Sequence, residues 1–203
     1  MKLFYSPGAC SLADHIALAW TGTVFEAHRL SAEDRNNPDY LKINPAGAVP
    51  ALQDGDWVLT QNAAILNFIA DSFPEARLGG DGSAKSRAEI NKWLAFLNAD
   101  VHPTFKPLFG ATAYLGDEAV IEQTKTEART KLRGLFQRAD DQLAGRDWLT
   151  GTRSIADPYL YVVTRWAKGS NVDLSGLDNL EQFFRHFEAD AVVQQILREE
   201  GLA

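Results

Sequence analysis

The chain has a single cysteine, Cys10, in the stretch KLFYSPGACSLADHIALAW at residues 2–20. KLFY reads as a short strand and PGACS breaks it. Leu12, Ile16 and Trp20 then recur every four residues, as on a helix. Cys10 therefore falls at the amino end of a helix. Unpaired N–H groups and the positive end of the dipole favour an anion there, on the thiol itself or on a bound ligand. A thiol of pKa ~8.5 is about 3% ionised at pH 7, and lowering it by two units takes about 2.7 kcal/mol. A dipole contribution of up to ~2 kcal/mol and one hydrogen bond to the charged form, ~1.5–3 kcal/mol, suffice. The same position also suits a small buried hydrophobe. A dithiol cycle is excluded, because C-x-x-C needs a second cysteine.

His102 is the second candidate. Asn98, His102, Phe105 and Phe109 share one helical face, distinct from the apolar stripe Ile90, Trp93, Leu94, Leu97 and Val101. Pro103 follows at once; it lacks a donor for the Ala99 carbonyl and predicts a kink. An imidazole at such a kink can donate a hydrogen bond or accept a proton. His15, His28 and His186 read as structural.

These residues need elements to position them. TVFEAHRL reads as a second strand after a helix stop at Gly22. VPALQDGDWVLT reads as a hairpin with Asp54-Gly55 in the turn. QNAAILNFIADSF is helical and stops before Pro74. The order is β-α-β, then β-β-α. GGDGSA at 79–84 reads as a linker, and from residue 85 the pattern is helical throughout. Ala128, Leu132, Leu135, Phe136, Ala139 and Leu143 form a second apolar stripe. Ser154 and Asp157 form a capping box that fixes the start of the helix IADPYLYVVTRWA. The expectation is an α/β domain over 1–78, a linker over 79–84 and an all-helical domain over 85–203.

Apolar residues make up 45% of the 203 and charged ones 23%, as in ordinary globular chains. The net charge of −7 is spread over both halves. No basic stripe exists for nucleic acid. No apolar run reaches the ~18 residues of a membrane span, and the amino end does not read as a secretory signal. With one cysteine and no internal disulfide, these features point to a reducing cytoplasm.

MKLFYSPGACSLADHIAL, INPAGAVPAL, TQNAAILNFIAD, WLAFLNADVHPTFKPLF and SIADPYLYVVTRWA, with a terminal EEGL, resemble bacterial beta-class glutathione transferases in order and spacing over essentially the whole chain. The resemblance implies a thioredoxin-like N-terminal domain, an all-helical C-terminal domain and a homodimer. It implies glutathione as co-substrate, with no other cofactor and no metal. The family's cysteine falls on Cys10 and its active-site histidine on His102. A cis bond is implied at Val49-Pro50, which turns the Val49 backbone outward to pair with the ligand; the residues alone also allow an ordinary loop proline. Arg35 matches a family lysine at the glycine end of glutathione, where a guanidinium suits a carboxylate. The N–H groups at Gln61 and Asn62 suit the γ-glutamyl carboxylate, although Thr60 or Asn62 also serves as a plain N-cap. The family usually has an acidic residue in place of Gln61, and a small residue or Ser in place of Asn62. Ala99 and Asp100 are implied beside His102 as further glutathione contacts. Phe105, Phe109, Tyr114 and Trp166 are implied as a flat apolar wall for a small hydrophobic electrophile; their spacing equally fits helical core. The expected activity is attack of the glutathione thiolate on such electrophiles. A monothiol oxidoreductase with Cys10 as nucleophile, or a non-catalytic binding protein of the same fold, are the alternatives.

Overall fold

The computed structural model describes residues 1–203. Strand β1 (Lys2–Tyr5) leads through the SPGAC turn into helix α1 (Ser11–Thr21). Gly22 ends α1 in the left-handed region, φ 71°, where its N–H caps Ala19 O. Strand β2 (Glu26–Arg29) pairs parallel with β1. Strands β3 (Ala51–Asp54) and β4 (Trp57–Thr60) form the hairpin, and helix α3 (Asn62–Ser72) follows. The sheet order is β2-β1-β3-β4, with β3 antiparallel to β1. This arrangement and the helices that follow match the α/β-plus-all-α expectation.

Two local expectations need correction. The hairpin loop is Gly55-Asp56, because Asp54 pairs with Trp57. Gly55 has φ 59° and Asp56 does not have positive φ, the pattern of a II′ turn with glycine first. Second, a helix α2 (Pro38–Ile43) stands between β2 and β3, where none was anticipated. Asn37 caps it by accepting from Asp39 N at 2.9 Å, and Pro38 begins it. Tyr40 of α2 packs with Phe4, Leu30 and Ala51 on one face of the sheet.

The helical part comprises α4 (Ala84–Phe96), a one-turn α5 (His102–Thr104), α6 (Glu118–Leu143), α7 (Ala156–Gly169), α8 (Asp178–Ala189) and α9 (Ala191–Glu200). Ser83 caps α4 through Ser86 N at 3.1 Å. Helices α8 and α9 are separated by Asp190, whose carboxylate accepts from Val192 N and Val193 N and caps α9. The capping box at Ser154 is reciprocal. Asp157 accepts from Ser154 N and Oγ, both at 2.7 Å, and Ser154 Oγ accepts from Ala156 N at 3.3 Å.

Helix α1 is the hinge of the packing. Nine of its eleven residues are buried, since α3, α7, α9 and β1 cover it from different sides. One continuous apolar cluster of 42 residues runs through it, joining Leu3 and Leu52 of the sheet to Tyr159, Leu160 and Val163 of α7. No helix is long and apolar enough to cross a membrane.

Candidate active site

Cys10 is where the strand-break-helix pattern puts it, immediately before α1. A turn closed by Ala9 N to Ser6 O, 3.0 Å, aims the chain into the helix. Gly8 in this turn has φ 69°, which a residue with Cβ adopts at a cost. Both backbone polar groups of Gly8 are held from the far end of the sequence. Its N–H donates to Glu200 Oε2 at 2.9 Å, and its carbonyl accepts from Trp166 Nε1 at 2.7 Å. The second oxygen of the buried Glu200 meets Nδ1 of the buried His15 at 2.9 Å. Helices α7 and α9 thus fix the loop that carries the cysteine. Nothing in the local pattern around residue 200 signals this role.

The thiol does not behave as the dipole argument predicts. Burial pushes the Cys10 thiol up to about 12, and the nearby Asp14 carboxyl pushes in the same direction. The N–H groups of Cys10 and Ser11 favour the thiolate but are outweighed. The helix end supplies its couple of kcal/mol; loss of hydration around sulfur costs more. Asp14 is itself fully buried and held well above the usual carboxylate range by burial. The Asp14 carboxyl thus adds to the burial that discourages ionisation of the thiol. Cys10 Sγ instead donates to Val49 O at 3.5 Å. The Val49-Pro50 bond is cis, in agreement with the expectation.

His102 sits after a widened helical turn. The run Leu97–Val101 has π geometry, with His102 N–H donating to Leu97 O. A simple proline kink was expected; the structure shows an inserted residue just before Pro103, which has no N–H to continue the ladder. Asn98, Ala99 and Asp100 are exposed on this bulge, and the Asp100 carbonyl accepts from Thr104 Oγ1 at 2.7 Å. His102 Nδ1 lies 2.7 Å from Tyr159 Oη, which also donates to Asn98 Oδ1 at 3.4 Å. Nε2 is left as the free nitrogen. Burial, then Lys106, lowers the His102 pKa, so the ring is neutral at pH 7. Tyr159, absent from the sequence-based candidates, is the link between the two main ones. It touches His102 on one side and lies close enough to Cys10 and Asn62 for both to influence its titration, although burial dominates.

The other candidates divide. Trp166 packs edge-on against His102, Phe105 and Phe109, with ring centroids 4.8, 5.4 and 5.3 Å away. Phe105 is fully buried, so it backs this wall rather than facing a ligand. Tyr114 is 83% exposed and touches none of these rings, which takes it out of the wall. Gln61 is exposed and holds φ 76°, a left-handed conformation of a non-glycine residue of the kind that clusters at functional sites. It is the N-cap of α3, in place of Thr60 or Asn62, and caps without its side chain. Asn62 is buried, so its side chain does not face an incoming ligand; its N–H and that of Ala63 have no intrahelical acceptor. Arg35 lies in the 3-10 turn Asp34–Asn36, half-buried with Nε unpaired, near Tyr40. A cavity of about 680 Å³ is lined by Asp71, Arg77, Arg87 and the Gly79–Gly82 turn, and includes none of these residues.

Two domain families match this chain: "Glutathione S-transferase, N-terminal domain" over residues 1–71 and "Glutathione S-transferase, C-terminal domain" over residues 92–191. The chain belongs to the glutathione S-transferase family. It is 59% identical, over the whole of both chains, to glutathione S-transferase GST-4.5 of Xanthomonas campestris pv. campestris. The solved glutathione S-transferase of Xylella fastidiosa superposes with a TM-score of 0.98 at 57% identity, covering 100% of this chain and 99% of the other. A sphingomonad glutathione S-transferase complexed with glutathione gives a TM-score of 0.87 at 38% identity over the whole of both chains. The transferase class expected from the motifs therefore stands, as do the thioredoxin-like first domain and the helical second one.

Proposed function

We propose that this glutathione transferase conjugates the glutathione sulfur to small hydrophobic electrophiles, with Cys10 as a neutral neighbour and His102 as the group that handles the sulfur's proton. One observation supports the reading: the Tyr159 hydroxyl lies 2.7 Å from His102 Nδ1 and near enough to Cys10, 92 positions away from His102 in the sequence, to feel its charge, while burial keeps the Cys10 thiol protonated. A protonated thiol donates to an anionic sulfur; it does not attack a disulfide. This counts against the monothiol oxidoreductase.

The tripeptide lies along residues 49–62. The Val49 backbone pairs with its cysteinyl unit, as an added strand does. The open N–H groups at the start of α3 take the γ-glutamyl carboxylate. The Gln61 carbonyl accepts from the ammonium, and Arg35 meets the glycine carboxylate in bidentate geometry. Ala99 and Asp100 offer further contacts from the bulge beside His102. At the sulfur, a neutral imidazole either takes the thiol proton at Nε2 or donates from it, since the Tyr159 hydroxyl supports both tautomers. Trp166 and Phe109 supply the apolar wall against which the electrophile stacks, with Phe105 behind them. The functional division is 1–78 for glutathione and 85–203 for the electrophile, with 79–84 as connector. The enzyme works as a cytoplasmic homodimer.

Calorimetric titration with glutathione, paired with turnover of a generic aryl halide, tests this. Binding with a fall of tenfold or more in kcat/KM for His102→Ala, and a smaller fall for Cys10→Ala, is the expected result. Equal loss of conjugation and of thiol–disulfide exchange in Cys10→Ala would count against this division of roles, and rapid alkylation of Cys10 at pH 6 with weak conjugation would make Cys10 the nucleophile. Absence of glutathione binding would leave a carrier of the same fold.

A further inference from the structure

Asn62 and Asp14 stand out because the mechanism above gives their side chains no ligand to hold. Asp14 is 0% exposed and Asn62 is 4% exposed. They come from the first turns of two different helices, α1 and α3. With the amide nitrogen facing its acceptors, Asn62 Nδ2 donates to Asp14 Oδ2 at 2.5 Å and to the Cys10 carbonyl at 3.2 Å. The same amide lies against the Tyr159 hydroxyl, whose other neighbours are His102 and Asn98. One buried side chain therefore touches the main chain of the cysteine, a buried acid and the phenol that orients the histidine.

We infer that Asp14 and Asn62 are paired positioning residues, which lock the Cys10 main chain to the amino end of α3 so that the sulfur-facing and carboxylate-facing parts of the glutathione site move as one body. The reasoning is geometric. Cys10 precedes α1, and the open N–H groups of α3 begin at Asn62. Without a tie, the only covalent path between them is the 51-residue chain that includes two loops and the hairpin. Asn62 bridges the gap in a single side chain. Asp14 fixes the amide's rotation, since Nδ2 otherwise has the Cys10 carbonyl alone to hold it.

The inference rests on the proposal that the glutathione sulfur meets Cys10, and its test separates the two. Asn62→Ala and Asp14→Ala are compared with Asp14→Asn, whose amide oxygen still accepts from Asn62. Three readouts are taken: KM against kcat for glutathione, the rate of Cys10 alkylation by iodoacetamide at pH 8, and Tm. Both alanine variants raise the glutathione KM at least fivefold with a smaller effect on kcat. Both speed alkylation at least tenfold, because the main chain of Cys10 is no longer held. Asp14→Asn restores most of each change. If the alanine variants lower Tm alone, with KM and alkylation within twofold of the parent, the pair is packing and the inference is overturned. Should either alanine variant fail to fold, Asn62→Ser takes its place with the same criteria. Should the parent itself not bind glutathione, the functional proposal fails by itself, and the alkylation rates still decide whether the pair holds Cys10.

Discussion

Removing the Glu200 side chain tests how the catalytic loop is held. Glu200→Ala takes away the acceptor of Gly8 N–H and the partner of His15 Nδ1, each at 2.9 Å. His15 is fully buried, and its Nε2 already has no hydrogen-bond partner. Each buried donor left without an acceptor costs about 1–3 kcal/mol, so the pair sums to about 2–6 kcal/mol. A small additional loss comes from the space the side chain vacates. For a chain of about 200 residues, 1 kcal/mol moves Tm by about 2–4 °C, which places the expected fall at about 4–24 °C. Glu200→Gln is the control, because its amide oxygen accepts from Gly8 while its nitrogen donates to a deprotonated Nδ1. That variant loses less than half as much. Thermal unfolding by circular dichroism measures the stability, and the glutathione KM of the folded fraction measures the loop. A Glu200→Ala protein within 1 kcal/mol of the parent, or one as damaged by Gln as by Ala, would refute the argument that the carboxylate is a two-sided clamp.

Other expectations follow from the same geometry. The rate of Cys10 alkylation in the ligand-free protein rises about tenfold per pH unit up to pH 10 with no plateau, since the thiol is pushed up to about 12; levelling off below pH 9 would restore the reactive-thiolate reading. Activity holds to a pH below the ordinary imidazole range and then falls as His102 gains its proton, because burial lowers that pKa; the same acid limb persisting in His102→Asn would assign it to another group. Tyr159→Phe removes the hydroxyl at 2.7 Å from His102 Nδ1 and lowers kcat about tenfold with little change in glutathione KM; an unchanged kcat would show that the ring is oriented by packing alone. Asp157→Ala strands Leu149 N and Ser154 N and destabilises by about 2–5 kcal/mol in chemical denaturation, against under 1 kcal/mol if the capping box were ornamental.

Much of this architecture was legible in the residues. A strand, a break and a four-residue apolar recurrence placed Cys10 correctly, and Gly22 marked the end of α1 because only a left-handed residue closes that turn. Pro103 showed where the helical ladder fails. It could not show which bond replaces the lost one, so the π turn at Leu97–Val101 went unseen. Aspartate-glycine is a strong turn signal, yet it leaves the register open by one residue, and the pairing of Asp54 with Trp57 decided it. The thiol was misjudged for a physical reason. Dipole and N–H effects are local and visible in the order of residues, whereas desolvation depends on what distant segments fold over the sulfur, which that order does not show. The role of Glu200 and the hold of Trp166 on the cysteine loop were hidden for a similar reason: their partner is a backbone group of Gly8, which carries no side-chain signature.

That Gly8 is gripped from α7 and α9 bears on how the gene can be cut. A fragment ending near residue 78 keeps every strand and the cysteine, but strips α1 of the cover given by α7 and α9 and takes away Trp148 and Phe187, against which Trp20 packs. Such a piece would lose about 1.5–3 kcal/mol for each large side chain uncovered. Domain shuffling that borrows this first half must therefore bring along its own helical tail, down to the last turn.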